Sequence, residues 1–329
     1  MSRPGSHWLL LACAGVAALL PVAAAGQQAA AARAARLAPA DRMVAVQVRL
    51  DRAGFSPGEI DGHDGANTGR AVKAFQRALG VEPTGTLSPA TLAALNRDTR
   101  DVLTSYVLTA DDVAGPFATE IPDDLMLQAE LPALAYRSTL EMLGERFHSS
   151  PDLLRRLNPA ATFQTAGEEL QVPAVPPPPA APSDVVRTSG QTPADAVVIV
   201  SKSERALVVE SGGRVVLHAP VTVGSEHDPL PIGEWAVTGV YRNPVFHYNP
   251  DLFWDADPSH AKAKIQPGPN NPVGVMWIDL TREHYGLHGT PEPRTVGHTA
   301  SHGCVRLTNW DVERVAAFVD KGTRVVFKE

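Results

Sequence analysis

Residues 174–185 read AVPPPPAAPSDV, and no helix or internal strand can run through that segment. Each proline lacks an amide hydrogen and fixes its φ at about −65°, so a run of them holds the backbone extended and breaks any hydrogen-bond ladder. A chain of 329 residues is thereby cut into two parts that must build separate cores, with 174–193 as the linker. The hydrophobic period also changes across it. Apolar residues before the prolines recur every three or four positions, and those after it alternate.

On the far side, 196–200, 206–209, 215–220, 221–223, 234–240 and 275–280 read as strands separated by Gly, Ser and Asp turns. One helix is expected over 310–319, with Val312, Val315, Phe318 and Val319 available for packing, and 323–327 reads as a closing strand. Residues 194–329 are therefore expected to form a mainly β domain. Between two of its strands lies a long aromatic- and proline-rich insertion, 241–273, of the kind that forms a lid or substrate wall. Tyr248, Phe253 and Trp254 either stack on a ligand there or are buried by the insertion itself, and His247 and His260 read as surface or hydrogen-bonded residues.

On the near side, 43–97 reads as a small domain. Val44, Val46, Val48 and Leu50 alternate as in a strand, although Val44 and Val48 also share a helical face. A helix over 68–79 places Ala71, Val72, Phe75 and Leu79 on one stripe with Thr68 as its expected cap, and Ser88-Pro89 starts another. Residues 98–130 read as an acidic connector with short helices. In 131–173, helical spacing links Leu140, Leu143 and Phe147, then Leu153, Leu154 and Leu157 after a Ser149 or Ser150 cap, and 169–173 closes as a strand.

The first 25 residues carry Arg3, an apolar run WLLLACAGVAALLP too short for a comfortable membrane span, and small residues before Gly26. They predict a secretory signal, with 26–42 as an alanine-rich tether and a mature chain soluble in the periplasm or cell wall. The net charge of −7 gives no electrostatic case for nucleic-acid binding, which needs a basic stripe. Of the two cysteines, Cys13 leaves with the signal, so Cys304 remains without a disulfide partner in an oxidising compartment.

Cys304 lies in SHGCVRL, residues 301–307. A thiol is weakly ionised at its free pKa, so a nucleophilic cysteine requires a base or donors that favour the thiolate. His302 is two residues away; His288 stands on a glycine-flanked segment, YGLHGT, that can deliver an imidazole from a second strand, and the reading pairs Cys304 with His288. The amides of Gly303 and Cys304 can face a developing oxyanion. Two other readings stand beside this one: a cysteine packed as a small buried hydrophobe, and a zinc site of His284, His288, His302 and Cys304, opposed by the strand-and-turn character of WIDLTREHYGLHG.

Three resemblances sharpen the picture. His288-Gly289-Thr290 followed by Ser301-His302-Gly303-Cys304-Val305-Arg306-Leu307 resembles the signature of the L,D-transpeptidase (YkuD) catalytic domain, and Pro231-Ile232-Gly233 resembles the turn where that family commonly carries a threonine in place of Leu230. VQVRL, Ile60-Asp61-Gly62, Thr68, Phe75-Gln76 and Thr84-Gly85 resemble a three-helix peptidoglycan-binding module, which makes the ambiguous opening a helix. Tyr136, Thr139-Leu140, Leu157-Asn158-Pro159 and the 167–173 ending resemble a degenerate LysM-like α+β module.

The implied architecture is multidomain, with a YkuD-like mixed β-sandwich carrying a short C-terminal helix behind two small wall-binding modules. The first resemblance implies Cys304 as acylated nucleophile, His288 as general base, the Gly289 carbonyl as its orienter and Gly303 as an oxyanion donor. Ser301 and His302 would support the pocket. Arg306 would hold a substrate carboxylate, although an ordinary salt bridge is its other reading. The donor would be a tetrapeptide stem, of the meso-diaminopimelate type, that releases D-alanine. A second stem gives a cross-link, a lipoprotein a wall attachment, and water an L,D-carboxypeptidase. Glycan strands would be bound by the modules, carbapenem β-lactams would inhibit, and no metal or organic cofactor is required. A non-catalytic wall-binding scaffold is the rival.

Overall fold

The structure is a computed structural model and describes residues 39–176 and 193–329. The expected signal segment with Cys13, most of the tether and the centre of the proline linker lie outside the described residues.

Helix α1 (Pro39–Arg52) takes up the ambiguous opening and the end of the expected tether. Val46 and Leu50 join Phe55, Ala71, Val72, Phe75 and Leu95 in one core, while Val44 and Val48 face Ile60 and Leu153. Helix α2 (Ala66–Ala78) follows, but Thr68 does not cap it. It starts after Gly65, and Thr68 is buried in the first turn with its hydroxyl accepting from Gln47 Nε2 at 3.1 Å. Helix α3 (Pro89–Leu95) is capped by Ser88, whose hydroxyl accepts the Thr91 amide. Two buried glutamines tie helices to turns: Gln47 Oε1 accepts from the Gly62 amide and Gln76 Oε1 from the Gly85 amide, each at 2.8 Å. Both glycines have φ near +77°, at 79° and 75°, where a Cβ is strained.

The stretch read as a connector holds a strand. β1 (Leu103–Val107) is followed by α4 (Ala110–Ala114), α5 (Leu125–Gln128), α6 (Thr139–Arg146) and α7 (Pro151–Leu157), and β1 pairs antiparallel with β2 (Glu169–Pro173). The middle module thus begins at Leu103 rather than at residue 131. Thr104, Ser105 and Val107 are exposed on this two-stranded ribbon, so it carries no alternating signal in the sequence. Its core is Leu108, Leu140, Leu143, Leu154, Phe163, Leu170 and Val172.

Beyond the linker come β3 (Val197–Ser201), β4 (Ala206–Ser211), β5 (Arg214–Pro220), β6 (Gly233–Arg242), the insertion hairpin β7 (Phe246–Tyr248) and β8 (Ala263–Ile265), then β9 (Met276–Leu280), β10 (Gly286–His288), β11 (Val305–Arg306), α8 (Asn309–Ala316) and β12 (Arg324–Lys328). Eight of these strands form one mixed sheet, ordered β11-β10-β9-β6-β12-β3-β4-β5, with β10–β11 and β12–β3 parallel. The expected strand at 221–223 is only a bridge: Thr222 joins Arg306 and Gly224 joins Ser301. Those bridges bring the chain leaving β5 back to β11, so the sheet curls until its two ends meet. Val198, Leu207, Val237, Ile278, Leu287, Val305 and Phe327 fill the curl, with Val312, Val315 and Val319 packed onto it. Leu230, the departure from the family's threonine, is an apolar member of that core.

The modules are docked, not strung apart. Asp51, fully buried at the end of α1, is 2.7 Å from Arg314 Nη1 of α8 and 3.2 Å from His148 Nδ1 of the middle module. His148 in turn stacks on Trp310, at 5.3 Å between ring centroids and 9° between planes. Ser56 donates its hydroxyl to Asp311 at 2.8 Å and its amide to the His218 carbonyl of β5 at 2.9 Å. Residues 39–329 form one compact unit.

Candidate active site

β10 supplies the imidazole. Leu287 turns into the core, so by strand alternation Gly286 and His288 face the other way, into a cavity of about 1040 Å³ lined by Cys304, Arg306, Ser301, His302 and Trp277 among others. β11 runs parallel to β10 with Leu287 beside Val305 and His288 beside Arg306. Cys304 precedes β11 by one residue, so the register sets it beside Gly286 and gives its side chain the same face as His288 and Arg306. One parallel pairing therefore brings Cys304, His288 and Arg306 into one cavity.

His288 is 4% exposed. Its Nδ1 donates to the carbonyl of Gly289 at 2.7 Å, which assigns the proton to Nδ1 and leaves the Nε2 lone pair free. Trp277, its cross-strand partner on β9, stacks on the ring at 5.4 Å and 21°. Burial, followed by the positive charge of Arg306, holds the imidazole down at about 3, against the pull of the Gly289 carbonyl. Burial also pushes the Cys304 thiol up to about 11, opposed by the Gly286 amide and by Arg306. The thiol nevertheless keeps a partial opening to the cavity, and its Sγ lies 3.6 Å from the His284 carbonyl, which a neutral S–H can address as donor. Both shifts favour the uncharged form of each partner, imidazole and thiol, over an ion pair.

The loop bearing the cysteine is held tightly. Ser301 is buried, and its hydroxyl donates to the Cys304 carbonyl at 2.6 Å. Gly303 has φ +103°, and a Cβ there would sit 2.8 Å from the Tyr285 ring. Only glycine fits that position without strain, and its amide stays clear of side-chain cover. Arg306 makes no side-chain hydrogen bond or ion pair to another described residue; its guanidinium opens into the cavity near Cys304 and Glu292.

His302 lines the cavity but turns toward the insertion: its Nε2 is 2.8 Å from Asp255 Oδ1, and its ring meets Phe253 edge-on at 5.1 Å. His288, by contrast, is held by a backbone carbonyl and presents Nε2 on the face that Cys304 and Arg306 share. The zinc reading requires His284, His288, His302 and Cys304 to converge. Among the described residues no group of three or more His, Cys, Asp or Glu side chains is placed to bind a metal ion.

The insertion divides the aromatic expectations. Tyr248, 3% exposed, packs on Phe253 and sends its hydroxyl to His260 Nδ1 at 3.0 Å, within a core that includes Leu134 and Ile265. Tyr248 and Phe253 also line the cavity, so the ring packs within the hairpin and borders the cavity at once. Trp254 is 60% exposed at the rim and stacks on His227 at 4.4 Å. Sequence reasoning missed Trp277, Asp255, Tyr285 and Asn309. The first was within reach, because alternation along WIDL puts its ring on the face that β10 presents.

The chain is similar to several known proteins. Residues 195–327 match the L,D-transpeptidase catalytic domain YkuD, and residues 39–95 match a family described as "Putative peptidoglycan binding domain". The Bacillus subtilis protein "Putative L,D-transpeptidase YkuD" is 28% identical over 188 residues, covering 57% of this chain and 92% of that protein. "Putative L,D-transpeptidase YqjB" of the same organism is 32% identical over 143 residues, 42% of this chain and 73% of the relative. "Probable L,D-transpeptidase YbiS" of Escherichia coli K12 is 30% identical over 137 residues, 40% of this chain and 44% of the relative.

Proposed function

This chain belongs to the L,D-transpeptidase family, and from that premise we propose that Cys304 and His288 carry out two successive acyl transfers on peptidoglycan stems outside the cytoplasm. The observation that carries the reading is the His288 Nδ1 hydrogen bond to Gly289, which leaves Nε2 as acceptor on the face shared with Cys304.

In the first transfer the Cys304 sulfur attacks the carbonyl of the third stem residue, a meso-diaminopimelate L-centre, while Nε2 of His288 takes the thiol proton. Because the resting pair is neutral, proton transfer accompanies attack; charge appears only as the tetrahedral oxygen forms beside the amides of Gly303 and Cys304. Collapse breaks the bond to D-alanine, whose amine receives the proton from the imidazolium, and leaves a thioester. In the second transfer an acceptor amine attacks the thioester, His288 accepts its proton, and collapse returns that proton to sulfur. An amide from an L-centre to a D-centre results.

Arg306, a cation without a hydrogen-bonded partner among the described residues, is suited to the carboxylate of the stem. The insertion and the loop of His302 wall the cavity and restrict water, which favours amine over hydrolysis. The helical module and the middle module would hold glycan strands nearby. Docked to the catalytic domain, they present the polymer at a fixed distance rather than on a tether.

Incubation with a purified disaccharide tetrapeptide tests this. The enzyme should release D-alanine and give L,D-linked dimer, and C304A should do neither while keeping its affinity for sacculi. Turnover by C304A would remove the nucleophile, and wall binding without turnover by the unaltered chain would favour the scaffold reading.

A further inference from the structure

The Gly289 carbonyl that fixes the tautomer of His288 is itself braced from behind. Asn309, the first residue of α8 and buried, lies flat against Gly274 and Gly289: a Cβ at either glycine would be 2.1 Å from Asn309 Oδ1. That oxygen accepts the Val275 amide at 3.2 Å, while Asn309 Nδ2 donates to the Pro269 carbonyl at 3.1 Å and to Glu145 Oε1 at 2.7 Å. Glu145 belongs to α6 of the middle module, 164 residues away in sequence, and its second oxygen accepts from the Tyr136 hydroxyl at 3.2 Å. The amide of Asn309 therefore spans a module boundary, with one face on the peptide that orients the base and its nitrogen on the middle module's carboxyl.

We propose that Glu145 is a positioning residue for the transpeptidase reaction: acting through Asn309, it fixes the Gly289 peptide and with it the tautomer and aim of the His288 imidazole. The middle module is then a structural part of the active centre as well as a wall-binding candidate. The inference rests on the reading of His288 as base. Further geometry agrees with it. Arg137 of the same module donates to Asn270 Oδ1 at 2.6 Å, and the Leu134 amide and carbonyl bond to Pro267 and Asn270, so the 266–275 segment leading to Gly274 is also held by the middle module. Burial, with Glu141 and Glu313 nearby, pushes the Glu145 carboxyl up to about 8, against the Asn309 and Tyr136 donors, which lowers the charge this contact buries.

The test is single-turnover acylation of Cys304 by a carbapenem, measured per folded active site, in the full chain. E145A and N309A should each slow acylation on the order of tenfold to a hundredfold, the effect of a reacting group misplaced by a fraction of an ångström to an ångström, with little change in the concentration dependence. E145Q, which keeps an oxygen for Asn309, should restore most of the rate. The double variant E145A/N309A should be no slower than N309A, because both act through one contact. Unchanged acylation per folded site in E145A, or additive effects in the double variant, would overturn the proposal and leave Glu145 as a stabilising contact. H288A reports on the premise separately: a wild-type rate there overturns the base assignment, whereas slow H288A with fast E145A overturns only the positioning role.

Discussion

Alkylation of Cys304 by iodoacetamide over a range of pH measures the resting electrostatics without any wall substrate. The reagent reacts with thiolate, and burial pushes this thiol up to about 11. At pH 7 such a group is ionised in about one molecule in 10⁴, against a few per cent for a free cysteine titrating at about 8.5. The more basic thiolate is intrinsically the better nucleophile, which recovers roughly tenfold. The net expectation is alkylation about twentyfold to thirtyfold slower than a free cysteine at pH 7, rising about tenfold per pH unit up to about pH 10. Intact mass gives the rate directly, since Cys304 is the sole cysteine beyond residue 13. Acylation by a tetrapeptide stem should stay nearly flat from about pH 6 to 9, because neither partner titrates there and proton transfer accompanies attack. A plateau of fast alkylation below about pH 8 would reveal a preformed imidazolium–thiolate pair and refute the neutral resting state.

Three further outcomes follow from the geometry. D51N leaves Arg314 facing a neutral group in the buried junction and should cost about 3–5 kcal/mol in chemical denaturation; no loss would mean the junction contributes nothing to stability. Burial pushes the Asp51 carboxyl up, but Arg314 and His148 outweigh it and hold it at about 2, below its ordinary 3.8. Its pH-linked contribution, about 2 kcal/mol, is thus complete above about pH 4 and lost as pH falls through about 2, which acid titration of wild type against D51N will show as a stability difference that shrinks by that amount in the window. G303A forces a Cβ into the Tyr285 ring at a positive φ and should lower acylation about 10²-fold with the fold retained by circular dichroism; near-normal rates would show that the loop tolerates the shift.

The placement of Cys304, Arg306 and His288 together was legible because it is local. SHGCVRL and HGT lie on short strands whose alternation sends the three side chains to one face, and one parallel register sets them side by side. The same locality made the Ser88 and Ser150 caps readable. Features that depend on distant partners were not. β1 is a surface ribbon whose mate lies more than sixty residues on, so its exposed Thr104 and Ser105 read as loop. Thr68 has the composition of a cap, but a buried glutamine recruits its hydroxyl. Tyr248 packs in a core closed by Leu134, a residue of the segment read as the LysM-like module, and no spacing near Tyr248 announces that partner. The Asp51–Arg314 pair joins residues 263 apart, and no periodicity announces such a contact. A proline run reads as a spacer, yet the modules on either side are docked through that buried junction.

The account stands on a sulfur nucleophile at position 304 activated by His288, and intact-mass analysis of the enzyme after brief exposure to a tetrapeptide stem tests it most directly. The account predicts one adduct on Cys304 with the mass of the stem less D-alanine, labile to hydroxylamine as a thioester, greatly slowed in H288A and absent in C304A. An adduct on another residue, or full turnover of the stem by C304A, would contradict it.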